Sequence, residues 1–284
     1  MKSALGLLPR DGDPSSALFA PLGDRYSVIG KLRSSGRAEL FVALPRLARG
    51  IEDVVVIKAY DLAPDPGGAE AGAQLELASG PAHENLIRVL ECGWDMGRHF
   101  IVSEFLEGTT LRRLLRWLDG CGQKLPDTAT ARILVGLFAA VEHAAACAHT
   151  PRARALACRP LEAANVFITP GGDVKVLGFK SQAWGGPPSN AEPAAIDDLL
   201  SKQRGPAIRA VLARIGKLSS SRSLAGLSHV ARILKDWQRR ELGSAGRAEL
   251  AAVMAGVRPK ERAARRMQVE AALARIVRAR DRGV

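Results

Sequence analysis

Val54-Val-Val-Ile-Lys-Ala-Tyr60 is followed by His83-Glu-Asn-Leu-Ile-Arg-Val-Leu-Glu-Cys-Gly93 and Arg98-His-Phe-Ile-Val-Ser-Glu-Phe105, three runs rich in β-branched and aromatic residues and bounded by turn formers. Such runs are strand signals. With Tyr26-Ser-Val-Ile-Gly30 and Ala38-Glu-Leu-Phe-Val-Ala-Leu44 upstream, they predict five short strands, most simply an antiparallel meander. One helix is predicted among them, over 69–79, where Gly72 is the main breaker. The residues Gly93-Trp-Asp-Met-Gly97 read as the turn between the last two strands.

Past Gly108 the period becomes helical. Leu111, Leu114, Leu115 and Leu118 recur at i, i+3, i+4, i+7, and Thr128 to His149 is a long Ala-rich segment that reads as a buried helix. One hairpin interrupts this half: Asn165-Val-Phe-Ile-Thr169, the turn Pro170-Gly-Gly-Asp173, then Val174-Lys-Val-Leu177. Beyond the Gly/Pro/Ser/Asn-rich residues 184–193 the pattern is helical again, at 206–215, 221–237 and 244–254, with Ser244 placed to cap the last of these. The expected fold class is α+β in two lobes, a five-stranded antiparallel sheet with one helix followed by a mainly helical lobe. Residues 1–23 read as a flexible leader, 24–106 as the small lobe, 107–257 as the helical lobe and 258–284 as a basic amphipathic helix.

Composition narrows the function classes. The 284 residues are 47% apolar and 25% charged, which fits neither a disordered tail nor a membrane protein. The longest apolar run, Ile133 to Val141, falls short of the roughly 20 residues of a membrane span. The apolar stretch before Pro9 is too short for a signal-peptide core, so a cytoplasmic location is expected. Cys92, Cys121, Cys147 and Cys158 form no C-x-x-C pair, and the five histidines lack metal-ligand spacing. The net charge of +12 is unevenly placed: residues 1–203 balance to −1, and residues 204–284 carry +13.

The order of these pieces resembles a protein kinase domain of the bacterial, eukaryotic-like Ser/Thr type, continuously from about Tyr26 to Lys180. Val55-Val-Ile-Lys58 is similar to the V-A-I-K strand, His83-Glu-Asn-Leu-Ile-Arg-Val-Leu90 to the H-P-N stretch, and Phe100 to Leu111 to the hinge and the start of the next helix. The resemblance implies a kinase-like two-lobe fold. It also implies where phosphoryl-transfer groups belong, namely a glycine-rich phosphate loop, a metal-binding carboxylate and a carboxylate that orients the attacking hydroxyl.

Several of those positions hold other residues. Arg33, Ser35 and Ala38 fall on the three signature glycines. In Cys158-Arg-Pro-Leu-Glu-Ala-Ala-Asn165, which matches the catalytic loop, Pro160 stands at the proton-accepting Asp and Glu162 at the Lys that faces the transferring phosphate. A like charge about 4 Å from that phosphate costs about 4 kcal/mol at an effective dielectric near 20. Gly178 of Gly178-Phe-Lys180 stands at the D-F-G metal carboxylate. Lys58 and Asn165 keep the family's types, the first with Gln74 or Glu76 near the place of its helix partner. Between Lys180 and Gly205 there are too few residues for a full activation segment and the central helix of the large lobe.

The resemblance is therefore to a degenerate, shortened member, a pseudokinase. It implies no enzyme activity and no catalytic residues, no bound metal or ATP, and only vestigial nucleotide contacts at Lys58 and Asn165. The role it implies is a scaffold or allosteric regulator in bacterial signalling or assembly, with an active kinase or another signalling component as protein partner. The alternatives are a divergent nucleotide-binding protein or weak Ser/Thr kinase, and a binder of nucleic acid or anionic membrane through the basic end. In that end, Val269, Leu273 and Ile276 form an apolar stripe flanked by Arg275, Arg278 and Arg282, which either packs on the helical lobe and shows its arginines to solvent or docks on a partner through the stripe with Arg265, Arg266 and Arg278. No Phe, Tyr or Trp is interleaved there for base stacking.

Overall fold

Short runs rich in β-branched and aromatic residues give the small lobe its sheet, whose strands are β1 (Tyr26–Ser35), β2 (Ala38–Pro45), β3 (Val55–Asp61), β4 (Val89–Asp95) and β5 (Arg98–Glu104). They come from a computed structural model that describes residues 25–35, 38–45, 47, 53–61, 69–95, 98–158, 161–179, 224–237, 239–240, 245–257, 266–267, 269–275 and 278. The spatial order is β1-β2-β3-β5-β4 with antiparallel neighbours, as the meander reading expects apart from the exchange of the last two.

Register divides the sheet into two faces. Phe41 lies opposite Ile57, and Ile57 opposite Val102, so these residues share one face with Ala43, Val55, Ala59 and Phe100 in a buried cluster. Leu40 lies opposite Lys58, Lys58 opposite Ile101, Val42 opposite Val56, and Val56 opposite Ser103. These define the second face, the one that carries Lys58. Helix α1 (Ala69–Ala78) matches the predicted span within a residue.

Two strand readings are corrected. Only the end of His83–Gly93 is a strand, because His83 to Arg88 bonds across to the other lobe: Ile87 N–H donates to the Val176 carbonyl at 2.9 Å and Val176 N–H to the Asn85 carbonyl at 2.8 Å. β4 in turn runs on through Gly93 and Trp94, read from sequence as a turn, because both pair with β5 at Phe100 and His99.

The large lobe begins with a short strand that periodicity did not reveal, β6 (Thr109–Thr110). It joins the predicted hairpin, β7 (Val166–Ile168) and β8 (Val174–Val176), in a three-stranded sheet. Helix α2 (Leu111–Gly120) buries all four leucines of its stripe, and its first turn is capped by the Thr110 hydroxyl, which accepts from Arg113 N–H. Helix α3 (Asp127–Cys147) is long and apolar enough to cross a membrane by length and composition, and it is the core helix of this lobe, with 72% of its apolar window buried. Helix α4 (Pro151–Ala157) starts at a Thr150 cap. Helices α5 (Leu224–Trp237) and α6 (Ala245–Gly256) close the core through Val230, Leu234, Leu250 and Met254. The segments read at 181–205 and 206–215, the Ser244 cap and the apparent shortening between Lys180 and Gly205 lie outside the described residues.

Candidate functional site

The groups that the resemblance assigns to chemistry come from both sheets, Lys58 from a strand of the first and Asn165 and Gly178 from either end of the hairpin in the second. Lys58 projects from the middle of β3, half-buried. Of its two candidate partners, Gln74 donates its side-chain amide to the carbonyl of Phe179 at 2.6 Å. Glu76 turns to the large lobe. It accepts from His149 N–H at 2.5 Å, Thr150 N–H at 2.9 Å and the Thr150 hydroxyl at 2.7 Å. The bonds from Thr150 first, and then that from His149, outweigh desolvation and hold the Glu76 carboxyl below its usual range. Helix α1 is thus tied to the large lobe at two points.

The catalytic-loop positions are also engaged by the fold. Glu162, at the place of the phosphate-facing lysine, pairs with Arg112 of α2 at 3.4 Å, so a countercharge offsets the repulsion expected from its carboxylate. Asn165 N–H donates to the Glu162 carbonyl at 2.9 Å, and the Asn165 carbonyl accepts from Leu177 N–H at 2.8 Å, which closes the loop onto the strand that leads to Gly178. Pro160 lies outside the described residues. Cys158, next to it, is partly buried, and burial pushes its thiol up despite the Arg154 charge, so it stays a neutral thiol.

Gly178 has a φ of +144°, a conformation that residues with a side chain rarely adopt. An aspartate at this position would be strained even though the space around it is open. The neighbouring Phe179 is buried in the main core, as its sequence position suggests. Asp173, the one acid in the hairpin turn, is held by Arg247 of α6 at 2.8 Å and by the Thr169 hydroxyl at 3.1 Å. Among the described residues no cluster of three or more His, Cys, Asp or Glu side chains is arranged to hold a metal ion. Sequence reasoning missed Arg112, Thr150 and Arg247, because each lies tens of residues from the group it holds and no spacing rule links them.

Beside the site, a histidine of the loop before β4 stacks on one from helix α3. His83 and His143 stack with ring centroids 4.6 Å apart; Asn85 N–H donates to His83 Nδ1 at 3.1 Å, and His143 Nε2 bonds the Pro81 carbonyl at 3.1 Å. The bond from Asn85 requires an unprotonated Nδ1. Burial, and then the charge of His143, push the His83 pKa below its ordinary 6.5. Stability from this loop is therefore fully present above about pH 6.5 and is lost as pH falls through the lower folded-state value. Tm measured from pH 7.5 to 5.5 is expected to fall, and to fall less steeply in His83→Gln. Part of the slope persists in that variant, because burial also lowers the His99 pKa.

At the basic end, residues 269–275 are helical. Val269 and Ala272 are buried, and Leu273 packs beside them, against Ile29, Val42, Leu44 and Val54 of the chain's own small lobe, with Leu32 and Phe105 at the margin. At Val269 and Leu273 the stripe is thus covered by the chain itself, on the small lobe in place of the helical one, with Arg266, Arg275 and Arg278 exposed; Arg265, Ile276 and Arg282 lie outside the described residues.

No family model matches the chain. It is 32% identical over 166 residues to a protein of Streptomyces coelicolor named as a probable serine/threonine-protein kinase, covering 56% of this chain and 22% of that one. It is 30% identical over 169 residues to the tyrosine-protein kinase MasK of Myxococcus xanthus, covering 57% and 26%. The chain thus spans about a quarter of the length of these curated relatives. Among solved structures, the kinase domain of Mycobacterium tuberculosis PknI matches with a TM-score of 0.51 at 18% identity, over 74% of this chain and 95% of that domain, a likeness of fold. These relatives correct one expectation. The substituted signature residues predict a protein that is not an enzyme, whereas the proteins it matches in sequence are named as protein kinases. Replacement of individual signature residues does not by itself establish inactivity. In fold, and in sequence over its matched segment, the chain is similar to bacterial eukaryotic-like protein kinases.

Proposed function

We propose that this kinase-family chain works in bacterial signalling chiefly by binding and regulating a protein partner, an active kinase or another signalling or assembly component, from the cytoplasm. One observation carries the reading: side chains at the signature positions are engaged in holding the fold together. Glu162 pairs with Arg112, Gln74 bonds the Phe179 carbonyl and Glu76 accepts from the backbone and hydroxyl of Thr150, the cap of α4. The partner meets the exposed arginines of the basic end, Arg266, Arg275 and Arg278, and the resting cleft holds no ATP. Any phosphoryl transfer by the chain proceeds without a carboxylate at residues 160 and 178.

The second reading is a divergent nucleotide-binding protein or weak Ser/Thr kinase that uses Lys58 and Asn165, and the names of the curated relatives favour it. Thermal unfolding of the full chain with and without millimolar Mg-ATP separates the two. A ligand at 100 times its Kd stabilises by about 2.7 kcal/mol, a shift of several degrees for a chain of this size. The partner-binding reading expects no resolved shift. A magnesium-dependent rise that Lys58→Ala abolishes would establish the second reading in its place.

A further inference from the structure

The face of the sheet that bears Lys58 is covered at one end by the chain itself. Register puts Val42 on that face, opposite Val56 and two residues from Leu40, which lies opposite Lys58. Strand alternation adds Leu44, Val54 and Phe105, two residues on from Val42, back from Val56 and on from Ser103. Val269, Ala272 and Leu273 pack on this set, together with Ile29 and Leu32 of β1. Charge continues the contact along the segment that leaves the hinge. Arg266, hydrogen-bonded to Glu270 at 3.0 Å, is also attracted by Glu107, and these carboxylates raise its guanidinium pKa further.

The opposite face has its own cluster, Phe41, Ala43, Val55, Ile57, Ala59, Phe100 and Val102, so the helix is not required to complete the core within the sheet. Val56 and Lys58, farther into the cleft, are only half-buried. The helix therefore occupies the hinge end of this face, where Val42, Leu44 and Val54 are buried with it.

We propose that the hinge end of the Lys58 face is a docking surface for the chain's own C-terminal helix, and that the docked helix is an autoinhibitory gate. A flat apolar group such as a purine base, approaching Lys58 along the hinge, needs contact with Leu32, Val42 and Phe105, which the helix shares. Release of the helix exposes that approach. The gate does not depend on the partner-binding reading, since it concerns which ligand the cleft admits once the helix is displaced.

The test uses the full chain with Val269→Asp, which sets a carboxylate into the buried contact, and Leu273→Asp, at its half-buried edge, as a milder second variant. Hydrogen exchange over 269–275 and 38–45 reports whether the helix has left, and circular dichroism whether the lobes remain folded. The probe is the fluorescent nucleotide TNP-ATP with magnesium. Release of the helix is expected to tighten binding at least tenfold over the parent chain in whichever variant stays folded. Equal affinity, or no binding by either protein, with the helix shown to be released would overturn the gate. Retained protection of 269–275 in both variants would overturn the docking assignment itself.

Discussion

Gly108→Val is expected to destabilise the chain by more than about 3 kcal/mol, the largest effect of any single substitution considered. Gly108 follows the hinge at a φ of +139°, and a Cβ there would lie 2.1 Å from the Ile168 carbonyl oxygen and 2.8 Å from Phe167 Cε1. Ile168 is fully buried and pairs with Thr109, so its backbone cannot retreat without opening the β6–β7 ladder. The cost therefore combines backbone strain with the loss of a sheet that joins the hinge to the catalytic-loop hairpin. Urea unfolding with an unchanged m-value checks it. Gly120→Ala is the control, since nothing lies within 4 Å of a Cβ there, and it is expected to change stability by no more than about 1 kcal/mol. A Gly108→Val protein within about 1 kcal/mol of the parent would contradict the close approach.

Asn85→Ala is expected to cost about 2 kcal/mol. The Asn85 side chain is almost wholly buried, and its amide donates to the Val174 carbonyl at 2.9 Å. Its backbone carbonyl accepts from Val176 N–H. Helix α3 leaves room for this arrangement only at Gly136, where a Cβ would come within 2.9 Å of both Asn85 Nδ2 and Val174 Cβ. Removing the amide deprives a buried carbonyl of its donor and opens a gap where the small-lobe loop, β8 and α3 meet. Asn85→Asp is expected to cost more, because its carboxylate would face that same carbonyl oxygen. Chemical denaturation measures both, and amide exchange at Ile87 and Val176 is expected to quicken with the loss.

These two sites show what sequence reasoning reached and where it stopped. Period and turn chemistry placed the five strands, α1, α2, α3 and the hairpin, because Val54 to Tyr60 and the Leu111 stripe state their faces locally. Strand β6 escaped because two threonines after a glycine carry no period, and the pairing that makes them a strand comes from Ile168 and Phe167, more than fifty residues away. The loop at His83 to Arg88 reads as strand because Leu86 and Ile87 lead directly into Val89 and Leu90, although its hydrogen bonds go to the other lobe.

At the site, residue identities were legible and their partners were not. Lys58, Glu162, Asn165 and Gly178 can be named from motif spacing, but the Arg112 countercharge and the bonds that Thr150 donates to Glu76 depend on tertiary placement. The C-terminal helix shows the same limit: its apolar stripe was legible at Val269 and Leu273, whereas its seat on Ile29, Val42 and Leu44 was not. The inference of no enzyme activity went one step further than the residues allowed, from substituted positions to absent function, and the kinase relatives overturn that step.

The central claim is that the chain's cellular role rests on binding surfaces more than on the retained nucleotide-contact residues. Complementation of a strain lacking the gene tests it most directly, with the full-length Lys58→Ala/Asn165→Ala double variant expressed at the level of the parent and shown to be folded. Rescue equal to that by the parent is the expected result. Loss of rescue by the folded double variant would contradict the claim and place the function in nucleotide chemistry at Lys58 and Asn165.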